Sequence, residues 1–136
     1  MKKILFICTG NTCRSPMAEM IFKSLQKGIK VSSAGLCAEG GAMADMAVQT
    51  LKNNNCKATV FKSKQVNEKM LSESDMTICM TQTHKDALKG FENVYTLDEL
   101  TGCGDISDPY GGNEEVYQKC FDELKKALTI LAGRKM

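Results

Sequence analysis

Strand-like runs alternating with amphipathic stretches predict an α/β protein, a three-layer sandwich in which a four-stranded parallel sheet is flanked by helices. Three observations carry this. Four short runs, at residues 3–7, 29–33, 76–80 and 94–97, read as strands. The segments between and after them repeat apolar residues at helical spacing. Strands joined through helices take right-handed crossovers, which leave them parallel and covered on both faces. Nothing suggests a linker, a repeat or a boundary, so residues 1–136 are expected to form one domain.

Lys3 to Ile7 is a continuous apolar run, as a parallel strand buried on both faces requires. Ser15 reads as the N-cap of the first helix and Pro16 as its first helical position, where a missing N–H costs nothing. Ala18, Ile21, Phe22 and Leu25 recur at helical spacing, and Gly28 reads as the stop. Residues 29–33 form the second expected strand. Ala44, Ala47, Val48 and Leu51 mark a second amphipathic helix, ended by Asn53, Asn54 and Asn55. Val66 to Leu71 reads as a short helix, Met76 to Met80 as the third strand, and Thr83 to Leu88 as a helix ending at Gly90. Val94 to Leu97 is the fourth expected strand. Residues 101–113, TGCGDISDPYGGN, read as loop. Asn113 then caps a last helix, with Glu114 and Glu115 favourably placed against its dipole. Tyr117, Phe121, Leu124, Leu128 and Leu131 line one face of that helix.

A net charge of +2 argues against a general nucleic-acid or membrane surface, and no apolar run reaches transmembrane length. Thr9, Gly10 and Asn11 end the first apolar run too early for a signal-peptide core, so a cytoplasmic, reduced chain is the expectation. The seven cysteines, at 8, 13, 37, 56, 79, 103 and 120, contain no C-x-x-C pair, and His84 is the only histidine. No metal site is expected from such scattered ligands. His84 itself reads as a helix-surface or hydrogen-bonded residue and not as a catalyst.

The chemistry concentrates in CTGNTCRSP, residues 8–16, between the first strand and the first helix. In α/β sheets ligands bind at the carboxyl ends of the strands, which is where this loop falls. A tight loop of small residues exposes backbone N–H groups, and the helix N-terminus adds its dipole, so the segment suits an anion. Gly10 and Asn11 tolerate unusual backbone angles. Arg14 supplies a planar fork for two oxygens. The loop is neither a Walker loop nor a dinucleotide fingerprint, because both glycine patterns are absent. The donors that hold an anion also stabilise a thiolate, which makes Cys8 a candidate nucleophile beneath a bound phosphate. Ser15 is placed to hydrogen-bond its sulfur. Departure of a leaving group from phosphorus also needs a general acid. Asp108, in the loop before the last helix, is the candidate, with Asp105 competing for the role. On local sequence alone, Asp108-Pro109 reads better as an ordinary turn than as an acid.

CTGNTCRSP near the start and DPYGG before the last helix resemble the low-molecular-weight phosphotyrosine protein phosphatase family over the whole chain. The resemblance implies the family's four-stranded fold, no metal or cofactor, and a phosphorylated protein as substrate, acted on by a monomer. It implies that Cys8 attacks phosphorus to form a phosphocysteine, with Arg14 and the backbone of Thr9, Gly10, Asn11, Thr12 and Cys13 holding the oxygens. Asp108, rather than Asp105, would protonate the leaving group and then activate water. Ser15 would assist the sulfur, Ser33 of SSAG would hold Asn11, and Tyr110 would form a pocket wall.

Thr12 bears on the substrate. Tyrosine-directed members commonly carry a bulky aliphatic residue there, and a threonine is similar to the bacterial protein-arginine phosphatases. A phosphorylated guanidinium is branched and polar beside phosphorus, so a small hydroxyl-bearing neighbour suits it, and Asp108 can pair with its charge. Tyr110 points the other way, because arginine-directed members usually have phenylalanine there. Phe61 stands where many relatives have histidine. Cys13 is expected to capture an oxidised Cys8 as a disulfide. Thioredoxin-coupled arsenate reductases share the CTGN-x-CRS pattern, but they need two further redox cysteines; Cys79 fits the first place and Asp86 fills the second.

Overall fold

The computed structural model describes residues 2–134. Along the chain run β1 (Lys3–Cys8), α1 (Arg14–Leu25), β2 (Lys30–Gly35), α2 (Asp45–Asn53), α3 (Glu68–Glu73), β3 (Met76–Cys79), α4 (Gln82–Ala87), β4 (Val94–Thr96), α5 (Leu97–Thr101) and α6 (Glu114–Ala132). The strands form one sheet in the order β2-β1-β3-β4, with every pairing parallel. This is the predicted architecture.

The apolar run of β1 is explained by its central place. Ile4, Phe6 and Cys8 face one core, shared with Met17, Ile21 and Phe22 of α1 and with Tyr117, Phe121, Leu124, Leu128 and Leu131 of α6. Leu5 and Ile7 face the other, with Leu71 and Leu88. Phe6 and Phe22 meet edge-on with ring centroids 5.8 Å apart, a contact that adds about 1 kcal/mol beyond area burial. Because β1 pairs with β2 on one side and β3 on the other, its carboxyl end opens at the switch in strand order, where such sheets bind ligands. Among the described residues, no helix is long and apolar enough to cross a membrane.

Several local expectations are corrected. Cys13, not Ser15, is the N-cap of α1, and Ser15 lies inside the first turn with its hydroxyl turned to Cys8. Pro16 is the third helical residue, a position whose N–H has no intrahelical acceptor anyway. The helix ends at Leu25, three residues before Gly28. β4 stops at Thr96, which instead caps α5: its hydroxyl accepts the N–H of Glu99, and Glu99 accepts the N–H of Thr96. That capping box stands in the sequence as Thr96-x-x-Glu99. Asn67 caps α3 and Thr81 caps α4, each shifting a helix by a residue or two. Asn113 caps α6 as predicted, accepting the N–H of Val116.

Candidate active site

Cys8 is the last residue of β1, and the backbone from Thr9 to Cys13 curls before α1 begins at Arg14. Asn11 holds the curl. It is fully buried and left-handed, with φ of 56°, a conformation asparagine tolerates better than most residues. Its Oδ1 accepts the N–H of Lys64 at 2.9 Å, which leaves Nδ2 to donate to Ser15 Oγ at 2.8 Å and Ser33 Oγ at 3.0 Å. Gly35 packs directly beneath. A Cβ there would lie 2.6 Å from the carbonyl oxygen of Thr9 and 3.1 Å from Asn11 Cβ, so a side chain would push the loop out of place.

The direction of these bonds determines what reaches the sulfur. Buried Glu19 pairs with Lys23 at 2.7 Å, and its other oxygen accepts the Ser33 hydroxyl at 2.7 Å. An ionised carboxylate only accepts, so the Ser33 proton is spent on Glu19 and Ser33 Oγ must accept from Asn11. Asn11 donates in turn to Ser15 Oγ, and the Ser15 proton is left for Cys8 Sγ, 2.9 Å away. The backbone N–H of Ser15 adds a second donor at 3.4 Å. Cys8 Sγ is therefore an acceptor of two hydrogen bonds, the environment a thiolate needs.

Arg14 is buried, and its Nη1 donates to the carbonyl of Ile106 at 3.2 Å. Its Nη2 lies 3.6 Å from Asp108 Oδ2. The N–H of Ile106 is bonded to the carbonyl of Met80, beyond the end of β3, and this ties the 102–113 loop to the crevice. Asp108 Oδ1 accepts the N–H of Tyr110 at 3.1 Å. Asp105 instead accepts the N–H of Gln82 and does not line the cavity. Cys8, Thr9, Thr12, Arg14, Asp108 and Tyr110 line one cavity of about 350 Å³. Gly10, Cys13, Cys37, Glu39, Gly41 and Ser63 complete its wall.

Four residues at this site escape the sequence reading. Glu19 and Gly35 act through the contacts just described. Ser63 is buried at the cavity wall, and its hydroxyl has no hydrogen-bond partner among the described residues. Of the two readings of His84, helix surface or hydrogen-bonded, the second holds: it is buried, with Nε2 at 2.9 Å from Thr9 Oγ1 and Nδ1 at 3.0 Å from Thr81 Oγ1. Burial first, then the charge of Arg14, lowers its pKa to about 4, against the opposing pull of Asp105 and Asp108. The imidazole is thus neutral near pH 7. Cys13 Sγ lies 3.3 Å from the Tyr117 hydroxyl. Phe61, where histidine was expected, packs partly buried against the main core. Cys79 is fully buried, and burial pushes its thiol up to about 12, so it presents no thiolate for a redox relay.

This geometry has close counterparts. Residues 3–135 match the family model described as low molecular weight phosphotyrosine protein phosphatase. A protein-arginine-phosphatase of Bacillus subtilis (strain 168) is 38% identical over 141 residues, covering 95% of this chain and 93% of the relative. The low molecular weight protein-tyrosine-phosphatase PtpB of Staphylococcus aureus is 37% identical over 127 residues, covering 90% and 91%. Among solved structures, the YwlE arginine phosphatase, as a cysteine-to-serine mutant with a phosphorylated active-site serine, superposes with a TM-score of 0.91 at 37% identity, covering 96% of this chain and 93% of that one. A match over nearly the whole length, in sequence and in fold, makes this chain a member of the low-molecular-weight phosphotyrosine protein phosphatase family of hydrolases.

Proposed function

We propose that this protein is a cysteine-dependent protein phosphatase that removes phosphate from phosphoarginine through a phosphocysteine on Cys8. The observation that carries the reading is the single cavity shared by a twice hydrogen-bonded Cys8 sulfur, the Arg14 guanidinium and the Asp108 carboxyl. In the first step the Cys8 thiolate attacks phosphorus, the phosphorus–nitrogen bond breaks, and Asp108 gives its proton to the departing guanidine nitrogen. Arg14 and the backbone N–H groups of the loop hold the non-reacting oxygens, where negative charge gathers in the transition state. In the second step the Asp108 carboxylate takes a proton from water, the water oxygen bonds to phosphorus, and the phosphorus–sulfur bond breaks. Inorganic phosphate and the thiolate are released, the latter stabilised by Ser15. The phosphorylated serine in the YwlE mutant supports attack from the equivalent position.

The choice of phosphoarginine rests on Thr12, half-buried in the cavity wall, and on likeness to the arginine phosphatases. Tyr110, which also lines the cavity, and the similar likeness to a protein-tyrosine-phosphatase favour a second reading, phosphotyrosine. Parallel turnover of phosphoarginine and phosphotyrosine peptides, with Cys8→Ser as the blank, separates them. Preference for phosphoarginine that falls in Thr12→Ile is the expected result. Preference for phosphotyrosine would keep the mechanism and overturn the substrate.

A further inference from the structure

Thr9 follows the nucleophile directly, is exposed, and lines the cavity. Among the described residues, the side chain its hydroxyl meets is His84, at Nε2. Across the ring, Nδ1 meets Thr81 Oγ1, which also accepts the backbone N–H of His84 at 3.3 Å. A neutral imidazole carries one N–H and one bare nitrogen, so two arrangements are open, and each leaves one hydroxyl proton over. With the ring proton on Nδ1, Thr81 accepts twice and the surplus proton is its own, at a half-buried side chain with no acceptor among the described residues. With the ring proton on Nε2, Thr81 donates to Nδ1, His84 donates to Thr9 Oγ1, and the surplus proton belongs to Thr9. There it is exposed to the cavity, where an incoming acceptor can reach it. The first arrangement strands a proton at the less exposed side chain, which costs up to about 1–3 kcal/mol, so the second arrangement is favoured.

We infer that Thr81 and His84 form a relay that makes the Thr9 hydroxyl a hydrogen-bond donor to the oxyanion held by the 8–14 loop. Thr9 is the residue that touches the ligand, and His84 is a positioning residue that acts through it. The relay also anchors the loop after β1 to the start of α4, fixing the side of the cradle opposite the Asn11 network. The inference rests on the reading that the loop holds a phosphate-like anion.

Inorganic phosphate is the probe, measured by calorimetric titration and as a competitive inhibitor of p-nitrophenyl phosphate hydrolysis. Thr9→Val keeps the shape and removes the hydroxyl; it is expected to weaken phosphate binding by about tenfold, with a lower melting temperature because the His84 N–H loses its acceptor. His84→Leu should weaken binding comparably, and should add nothing further in the Thr9→Val background, because both remove one interaction. His84→Gln, which retains an N–H at the reach of Nε2, should restore most of the loss. Thr81→Val provides a milder break of the relay should His84→Leu fail to fold, and should also weaken binding. Unchanged phosphate affinity in Thr9→Val, or losses that add fully in the double variant, would overturn the inference alone. A parent protein that neither binds phosphate nor hydrolyses the aryl ester would overturn the oxyanion reading, and the relay with it.

Discussion

Arg14 Nη2 stands 3.6 Å from Asp108 Oδ2, joining the loop after β1 to the loop before α6. The Asp108 side chain is 57% exposed, so the pair adds at most about 1 kcal/mol to stability. Its consequence is positional: it holds a carboxyl over the cavity that Cys8 lines. Asp108→Asn is therefore expected to change the melting midpoint little while lowering kcat about 100- to 10,000-fold on substrates whose leaving group needs a proton. The first step should suffer far less with p-nitrophenyl phosphate, whose leaving group departs as an anion. Asp105→Asn should stay near the parent. Steady-state kinetics across a series of leaving groups checks all three.

Asn11 combines a left-handed backbone with three side-chain hydrogen bonds, two of them buried. Asn11→Ala loses both and is expected to cost about 2–4 kcal/mol. Asn11→Gly relieves the backbone but not the hydrogen bonds, so it should recover about 1 kcal/mol of stability and almost none of the turnover. Urea denaturation beside activity distinguishes the two contributions. Equal activity in Asn11→Gly and the parent would mean that the Asn11 side chain does not order Ser15.

His84 carries a sign that can be worked out. Its pKa falls from the ordinary histidine value of 6.5 to about 4 on folding, so between those values the unfolded chain binds the proton and the native protein does not. The stabilisation from a neutral His84 is present above about pH 6.5 and is lost as the pH falls toward 4. Urea midpoints at a series of pH values should drop across that window. Subtracting the same series for His84→Gln should leave a difference that falls with acidity, whereas a flat difference would show that His84 is not buried neutral.

Cys8 and Cys13 line the same cavity, while Cys79 and Cys120 are fully buried. Burial is the main cause pushing the last two thiols up to about 12. Mild peroxide should convert the Cys8 thiolate to a sulfenic acid, and attack by the Cys13 sulfur should expel water and leave a Cys8–Cys13 disulfide. Peptide mass spectrometry should find that link, with Cys79 and Cys120 unmodified. Dithiothreitol should restore activity to the parent but not to Cys13→Ser, whose Cys8 oxidises beyond rescue. Absence of the link would end the protective role of Cys13.

The legible parts of the molecule were those encoded locally. β1 announces itself as a continuous apolar run and α6 by its helical period, and Cys8 and Arg14 lie close enough in sequence to be read as one loop. Ser15 was misplaced because the hydroxyl that would cap a helix is the same hydroxyl that reaches a thiolate. α5 was missed because it is five residues long and its cap, Thr96, also ends a strand. The choice between Asp108 and Asp105 depends on the bond from Ile106 to Met80, a long-range contact that no local pattern displays. Glu19 did leave a signal. It lies four residues after Ser15 and three before Phe22, on the buried stripe of α1, where an acid needs a partner. Gly35 and His84 act on the loop from β2 and α4, and only the packed sheet brings them there.

The most direct measurement is rapid-quench mass spectrometry of Asp108→Asn with p-nitrophenyl phosphate. The first step needs no acid with this leaving group, and the second lacks its base, so the covalent intermediate should accumulate. The expected result is a burst of p-nitrophenol matched by one phosphate per protein, located on Cys8 and absent when Cys8→Ala removes the nucleophile. Steady turnover with no phosphorylated protein, or phosphate on another residue, would contradict attack by Cys8.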